Sequence, residues 1–241
     1  MRFAIISDIH ANLEAFDSVL ADARDNECTS FVCLGDVVGY NANPLECVER
    51  VRELSCITVK GNHDEQASLV ESSRDFNEIA EAAIQWTRDR LPDKGKQWLR
   101  DLKLQQQVRG FTIVHATLDA PERWDYVFDN IDAAASFEFQ QTAVCFFGHT
   151  HVPMAFTRGE DGVQRHQFDK LRIDAGKKYF INVGSVGQPR DGDWRAAYCI
   201  YDVEKELVEQ RRLKYDVAGA QKKIIDAGLP RLLAERLAIG R

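Results

Sequence analysis

"FAIISDIHANLEAF", residues 3–16, reads as an apolar strand from Phe3 to Ile6, a break carrying Asp8 and His10, and a helical pattern from Asn12 to Asn26. The switch from a short apolar run to helical spacing recurs twice. "FVCL" (31–34) precedes a helical stretch from Pro44 to Leu54, and "CITV" (56–59) precedes a helix-rich region from Phe76 to Leu102. Strand and helix in alternation indicate parallel strands covered by helices, so the first half is α/β.

After Leu104 the pattern changes to closely spaced strands: "QQQV", "FTIVH", "AVCFF", "MAFTR", "GVQRHQF", "KYFINV", "RAAYCIYDV" and "ELVEQRRL". Turn signals such as Gly159-Glu160-Asp161-Gly162 separate several of them, and a second, more antiparallel sheet is expected. Residues 216–241 read as two short helices, with Asp216 as N-cap of the first and Gly228 to Pro230 between them. A chain of 241 residues with 44% hydrophobic residues can bury a sizeable core. One domain over residues 1–241 is expected, with the helices of 216–241 as an appendage.

Lys+Arg 31 against Asp+Glu 38 gives a net charge of -7. That balance disfavours tight, sequence-independent binding to the phosphate backbone of nucleic acid. No stretch approaches the ~18 apolar residues of a membrane span. The opening "MRFAIISDIH" lacks the long apolar region of a secretory signal, so a cytoplasmic location is expected. The six cysteines (Cys28, Cys33, Cys47, Cys56, Cys145, Cys199) stand singly and read as reduced, mostly buried thiols.

The chemistry collects at the ends of the predicted strands. "FAII" is followed by Asp8 and His10, "FVCL" by Gly35-Asp36, and "CITV" by Gly61-Asn62-His63-Asp64; "FTIV" ends at His115, and "AVCFF" at Gly148-His149-Thr150-His151. In open α/β sheets ligands gather at the carboxyl ends of strands. Five of the six histidines lie there, and the sixth, His166, reads as a surface residue in a hairpin. Each motif is ordinary alone; their joint placement indicates a metal site.

Taken in order, "DIH", "GDVV", "GNHD", "VHA" and "GHTH" resemble the calcineurin-like metallophosphoesterase superfamily across residues 8–151. "SDIHAN", "GDVVGY" and the late "NVGSVGQPRDGD" (182–193) are similar to its small prokaryotic phosphodiesterase-like branch. The resemblance implies a two-sheet α/β/β/α sandwich in a single domain. It also implies that Asp8, His10, Asp36 and His151 ligate one divalent metal ion and that Asp36, Asn62, His115 and His149 ligate a second. Asp36 is then the shared carboxylate, and the two histidines of "GHTH" serve different ions.

Two dications that share a carboxylate can clamp the oxygens of a phosphate and activate a bound hydroxide. A neutral Asn62 in place of a third carboxylate leaves the site net positive. The mixed nitrogen and oxygen set suits Mn, Fe, Zn or Co, with Mn favoured. By resemblance, His63 is the general acid, and Asp64 is expected to orient it. In the late glycine-rich loop Arg190 is the expected phosphate contact. Asn43 reads as a helix N-cap before Pro44, and Tyr40 and Trp194 as packing residues with the option of stacking on a base.

Two departures bear on function. Ala116 follows the lone His115, where the family often has Gly. The second block has Gly39-Tyr40 in place of the "DRG" of Ser/Thr protein phosphatases, and the third reads "GNHD" rather than "GNHE". Small phosphodiesters or nucleotides are therefore the expected substrates. The remaining readings are a nuclease or nucleotide phosphatase of the same fold, and a non-catalytic scaffold. Apolar faces on the C-terminal helices leave a homo-oligomer open.

Overall fold

The computed structural model describes residues 1–70 and 76–241. β1 (Arg2–Ile6), β2 (Ser30–Cys33) and β3 (Ile57–Thr58) are parallel neighbours, linked by the helices α1 (Leu13–Asp25) and α2 (Pro44–Glu53). β11 (Ala196–Asp202), β12 (Leu207–Leu213) and β9 (Lys170–Arg172) complete this six-stranded sheet in the order β3-β2-β1-β11-β12-β9. The second sheet, also six-stranded, runs β4-β5-β6-β10-β7-β8. Its members are β4 (Gln105–Val108), β5 (Phe111–Val114), β6 (Val144–Phe147), β7 (Met154–Gly159), β8 (Gly162–His166) and β10 (Lys178–Asn182).

The alternation of side chains along each strand divides the core. Phe3 and Ile5 of β1 meet Phe111 and Ile113 of β5 and Phe146 of β6 between the sheets. Ala4 and Ile6 face the other way, toward Phe16, Val19 and Leu20 of α1. On the far side, Phe147 and Phe180 stack at 4.0 Å and pack with Phe137 of α6 (Asn130–Phe139). The result is the expected helix–sheet–sheet–helix layering.

One expectation is corrected. β11 and β12 do not join the second sheet: β11 pairs antiparallel with β1 at the centre of the first. The second sheet is more antiparallel than parallel, as expected: three of its five pairings are antiparallel, and β5, β6 and β10 run parallel. β11 is buried along its whole length, so its pattern gives no sign of which sheet it enters. Helix α6 and strand β9 were also not expected from the pattern. α6 has little amphipathic contrast along "NIDAAASFEF", which explains the miss.

The remaining helices cover the first sheet. α3 (Asn62–Ser68), α4 (Glu78–Arg90) and α5 (Asp93–Asp101) follow β3, while α7 (Val217–Asp226) and α8 (Arg231–Leu237) follow β12. α7 and α8 do not stand off the body. Ile224, Leu233 and Leu237 are buried in the core that includes Phe16 and Val19 of α1. Asp216 caps α7 as expected, accepting from the Gly219 N–H at 2.9 Å. Asn43 occupies the N-cap position of α2, but its side chain makes no cap bond; its amide oxygen accepts from Lys223 Nζ of α7 at 3.1 Å instead. All six cysteines are unpaired, and four of them are buried. No helix among the described residues is long and apolar enough to cross a membrane.

Candidate metal centre

The carboxyl ends of β1, β2 and β3 from one sheet and of β5 and β6 from the other meet at one edge of the sandwich. Asp8, His10, Asp36 and His151 come together there as one group able to hold a metal ion, and Asp36, His115 and His149 as a second. These are the groupings expected from the sequence, with Asp36 common to both. Asn62 lines the same cavity, and its buried Oδ1 has no hydrogen-bond partner among the described residues.

Short turns deliver these side chains at a backbone cost. Asp8, His10, Asp36, His149 and His151 all have positive φ, between 48° and 66°. The left-handed region is costly for non-glycine residues and persists only where neighbours enforce it. The Asp8 N–H donates to the Gly35 carbonyl at 3.0 Å and the His10 N–H to that of Asp36 at 2.9 Å; the Asn41 amide holds the His10 carbonyl at 2.7 Å. Close approach also explains two motif glycines. A Cβ on Gly61 would lie 2.0 Å from Asp36 Oδ1, and one on Gly148 would lie 2.4 Å from Asp8 Oδ2.

Each histidine is fixed by its outer ring nitrogen. Nδ1 of His10 donates to the Val38 carbonyl at 3.0 Å, Nδ1 of His115 to Leu34 at 2.8 Å and Nδ1 of His151 to Gln188 at 2.6 Å, while Nε2 of His149 donates to Trp124 at 2.8 Å. These bonds assign the tautomers and turn the inner nitrogens toward one another. The His10 and His151 Nε2 atoms face each other at 3.1 Å, and His115 Nε2 faces His149 Nδ1 at 3.2 Å. Two ring nitrogens facing each other at this distance repel unless a proton or a cation lies between them. Asp8 Oδ1, 3.2 Å from His151 Nε2, is likewise buried without a hydrogen-bond partner among the described residues. The donor set therefore fits divalent metal.

The titration of the groups agrees. Burial holds His10 well below its ordinary value and His149 down at about 3, so both rings are neutral near pH 7, the form that can ligate a metal. Burial would raise Asp8 and Asp36, but the surrounding histidines outweigh it, and both carboxyls lie below the ordinary range. Burial would lower His115 as well, yet Asp36 outweighs it and holds the ring up at about 9.

Above the cluster opens a cavity of about 610 Å³. Its lining includes Tyr40 with its neighbours His63 and Arg190, and His149 with its neighbours Trp124 and Tyr126. His63 is buried, with its Nδ1 beside Gly39, and burial pushes it down to about 4. Arg190 is held by the Gln188 side-chain oxygen at 2.8 Å and the Tyr40 hydroxyl at 3.2 Å.

Asp64 corrects the sequence reading. Its Oδ1 accepts from the Val37 and Val38 N–H groups at 2.9 and 3.3 Å, and its Oδ2 from Gly61 at 3.2 Å. It therefore positions the Asp36 turn and makes no bond to the His63 ring. The late glycine-rich loop is also mainly a buttress: Ser185 Oγ donates to the Asp8 carbonyl at 2.8 Å and the Asn182 amide to Thr150 Oγ1 at 2.9 Å. Of the two candidate stacking residues, Tyr40 lines the cavity, whereas Trp194 packs on Tyr215 in the helical layer. Ala116 is buried and does not line the cavity. His166 sits on β8, bonded to Thr157 at 2.7 Å. Sequence reasoning missed Trp124 and Tyr126; the signal available was "WDY" between Pro121 and the helix cap Asp129, an aromatic pair in a polar loop.

The model of the calcineurin-like phosphoesterase superfamily domain matches residues 1–206. An uncharacterized protein of Methanocaldococcus jannaschii is 42% identical, covering 99% of this chain and 98% of its own. A metallophosphoesterase from Sphaerobacter thermophilus is 40% identical, covering 100% of this chain and 99% of its own with a TM-score of 0.90. A hypothetical protein from Pyrococcus horikoshii OT3 shares the fold at 17% identity and a TM-score of 0.82, covering 100% of this chain and 98% of its own. With its strand-end ligands converging in the layered sandwich that these relatives share, the chain belongs to the calcineurin-like phosphoesterase superfamily.

Proposed function

We propose that this protein is a dinuclear metal-dependent phosphodiesterase acting on small phosphodiester or nucleotide substrates, with manganese the favoured ion. The observation that carries the reading is the pair of facing ring couples, His10 with His151 and His115 with His149, on either side of Asp36 at the floor of the cavity. Bound divalent ions would supply charge to a phosphate and lower the pKa of a water.

The protein's own groups divide the remaining work. Arg190, pre-oriented by Gln188 and Tyr40, offers its guanidinium to the phosphate oxygens. His63 lines the same cavity, with its Nδ1 edge buried against Gly39. Its ring is neutral near pH 7 when the site is free; an anionic phosphate raises its affinity for a proton, which it then passes to the leaving oxygen. The cavity of about 610 Å³, lined by Tyr40 and Trp124 among others, leaves space for both ester arms of a diester. The second block supplies Val38-Gly39-Tyr40 where a protein phosphatase has an arginine.

The test is hydrolysis of bis-p-nitrophenyl phosphate beside p-nitrophenyl phosphate by metal-stripped protein, with and without manganese. Manganese-dependent turnover of the diester above that of the monoester is expected. Inactivity on both esters with manganese bound would overturn the reading.

A further inference from the structure

Trp124 is tied to the candidate metal centre by two contacts and to α3 by a third. Its carbonyl accepts the His149 Nε2 proton at 2.8 Å, its ring lies edge-on to His115 at 5.8 Å, and its indole N–H reaches Glu65 Oε2 of α3 at 3.3 Å. Its backbone is left-handed, with φ 58° and ψ 37°, at the end of the 3₁₀ turn Pro121–Arg123. A bulky residue adopts that conformation only where its surroundings hold it. Two residues on, the Tyr126 ring stacks on His149 at 4.3 Å. The segment therefore closes over one half of the centre only: His115 and His149 are covered, while His10 and His151 are held by Val38 and Gln188.

We propose that Trp124 and Glu65 form a latch that sets the affinity of the second ion site, made by Asp36, Asn62, His115 and His149. This rests on the dinuclear reading above. Both are positioning residues. The carbonyl of Trp124 keeps the proton of His149 on Nε2 and its Nδ1 free for metal. The bond to Glu65 ties that carbonyl to α3, the helix that begins with Asn62, so two ligands of one ion are braced against each other. Partners of this kind change metal affinity by about 10–100-fold when removed.

The test is manganese binding to the full chain, by calorimetric titration and by metal analysis after dialysis, with thermal melts in EDTA to confirm folding. The wild-type protein is expected to bind two ions. Trp124→Phe, which keeps the carbonyl and loses the indole donor, and Glu65→Ala are each expected to weaken one ion by about 10–100-fold and leave the other unchanged. Glu65→Gln retains an acceptor and is expected to restore wild-type binding. Two ions at wild-type affinity in both weakening variants, or equal weakening of both ions, would overturn the latch. Absence of ester hydrolysis with this affinity pattern intact would remove the proposed reaction and leave the latch standing; a wild-type chain that binds no manganese would overturn both.

Discussion

His63 is where a single residue divides chemistry from architecture. It touches His10, Tyr40 and Phe76 through its ring, at centroid distances of 4.7, 4.4 and 4.7 Å, and donates its backbone N–H to Asp36 Oδ1 at 2.9 Å. The backbone bond survives substitution, so His63→Ala is expected to keep manganese binding and lose proton transfer. General acids contribute about 10²–10⁴-fold. The loss in kcat is expected to approach that range for a diester with an alkoxide leaving group and to be much smaller for p-nitrophenolate, which leaves without protonation. Steady-state rates on the two substrates check this, and equal losses would assign His63 a structural role.

At the scale of elements, the question is what registers the helices on the first sheet. Asp22 near the end of α1 accepts from Arg211 of β12 at 2.8 and 3.0 Å and from the Tyr198 hydroxyl of β11 at 2.6 Å. Burial would raise the Asp22 carboxyl, but Arg211 and Tyr198 outweigh it and hold it below the ordinary carboxylate value. A depressed folded-state pKa gives stability that is present above the unfolded value near ~3.9 and lost as pH falls through the folded one. Asp22→Asn is expected to cost about 1–2 kcal/mol at pH 7, a charged hydrogen bond being partly replaced by a neutral one. The gap between the two urea midpoints is expected to narrow below about pH 4. A gap independent of pH would show that the charge of Asp22 contributes nothing.

For the whole molecule, a bound metal ion would link folding to binding, because the candidate ligands come from both sheets. Asp8 and Asp36 follow strands of the first sheet, and His115, His149 and His151 follow strands of the second. An ion bound among them ties the layers together and has no equivalent site in the unfolded chain. At ~100-fold excess over Kd, one ion adds about 2.7 kcal/mol. For a chain of this size that raises Tm by about 5–10 °C. Removing metal with EDTA is expected to lower Tm by at least that amount in the wild type and to leave Asp36→Asn unchanged, as read by differential scanning fluorimetry. An equal shift in both would place the stabilising ion elsewhere.

The sequence by itself determined the α/β first half and the strand ends at which the candidate metal-binding side chains appear. Each of these is local: a strand, a tight turn and a side chain lie within a few residues, as in "FAIISDIH" and "FFGHTH". Only the tertiary structure decided that β11 enters the first sheet beside β1, that Asp64 serves the Asp36 turn rather than His63, and that Trp124 reaches His149. Those outcomes depend on pairings between segments far apart in the chain, and on backbone carbonyls, which carry no residue identity. A carbonyl that fixes a histidine tautomer can belong to any amino acid, so spacing and composition give no sign of it.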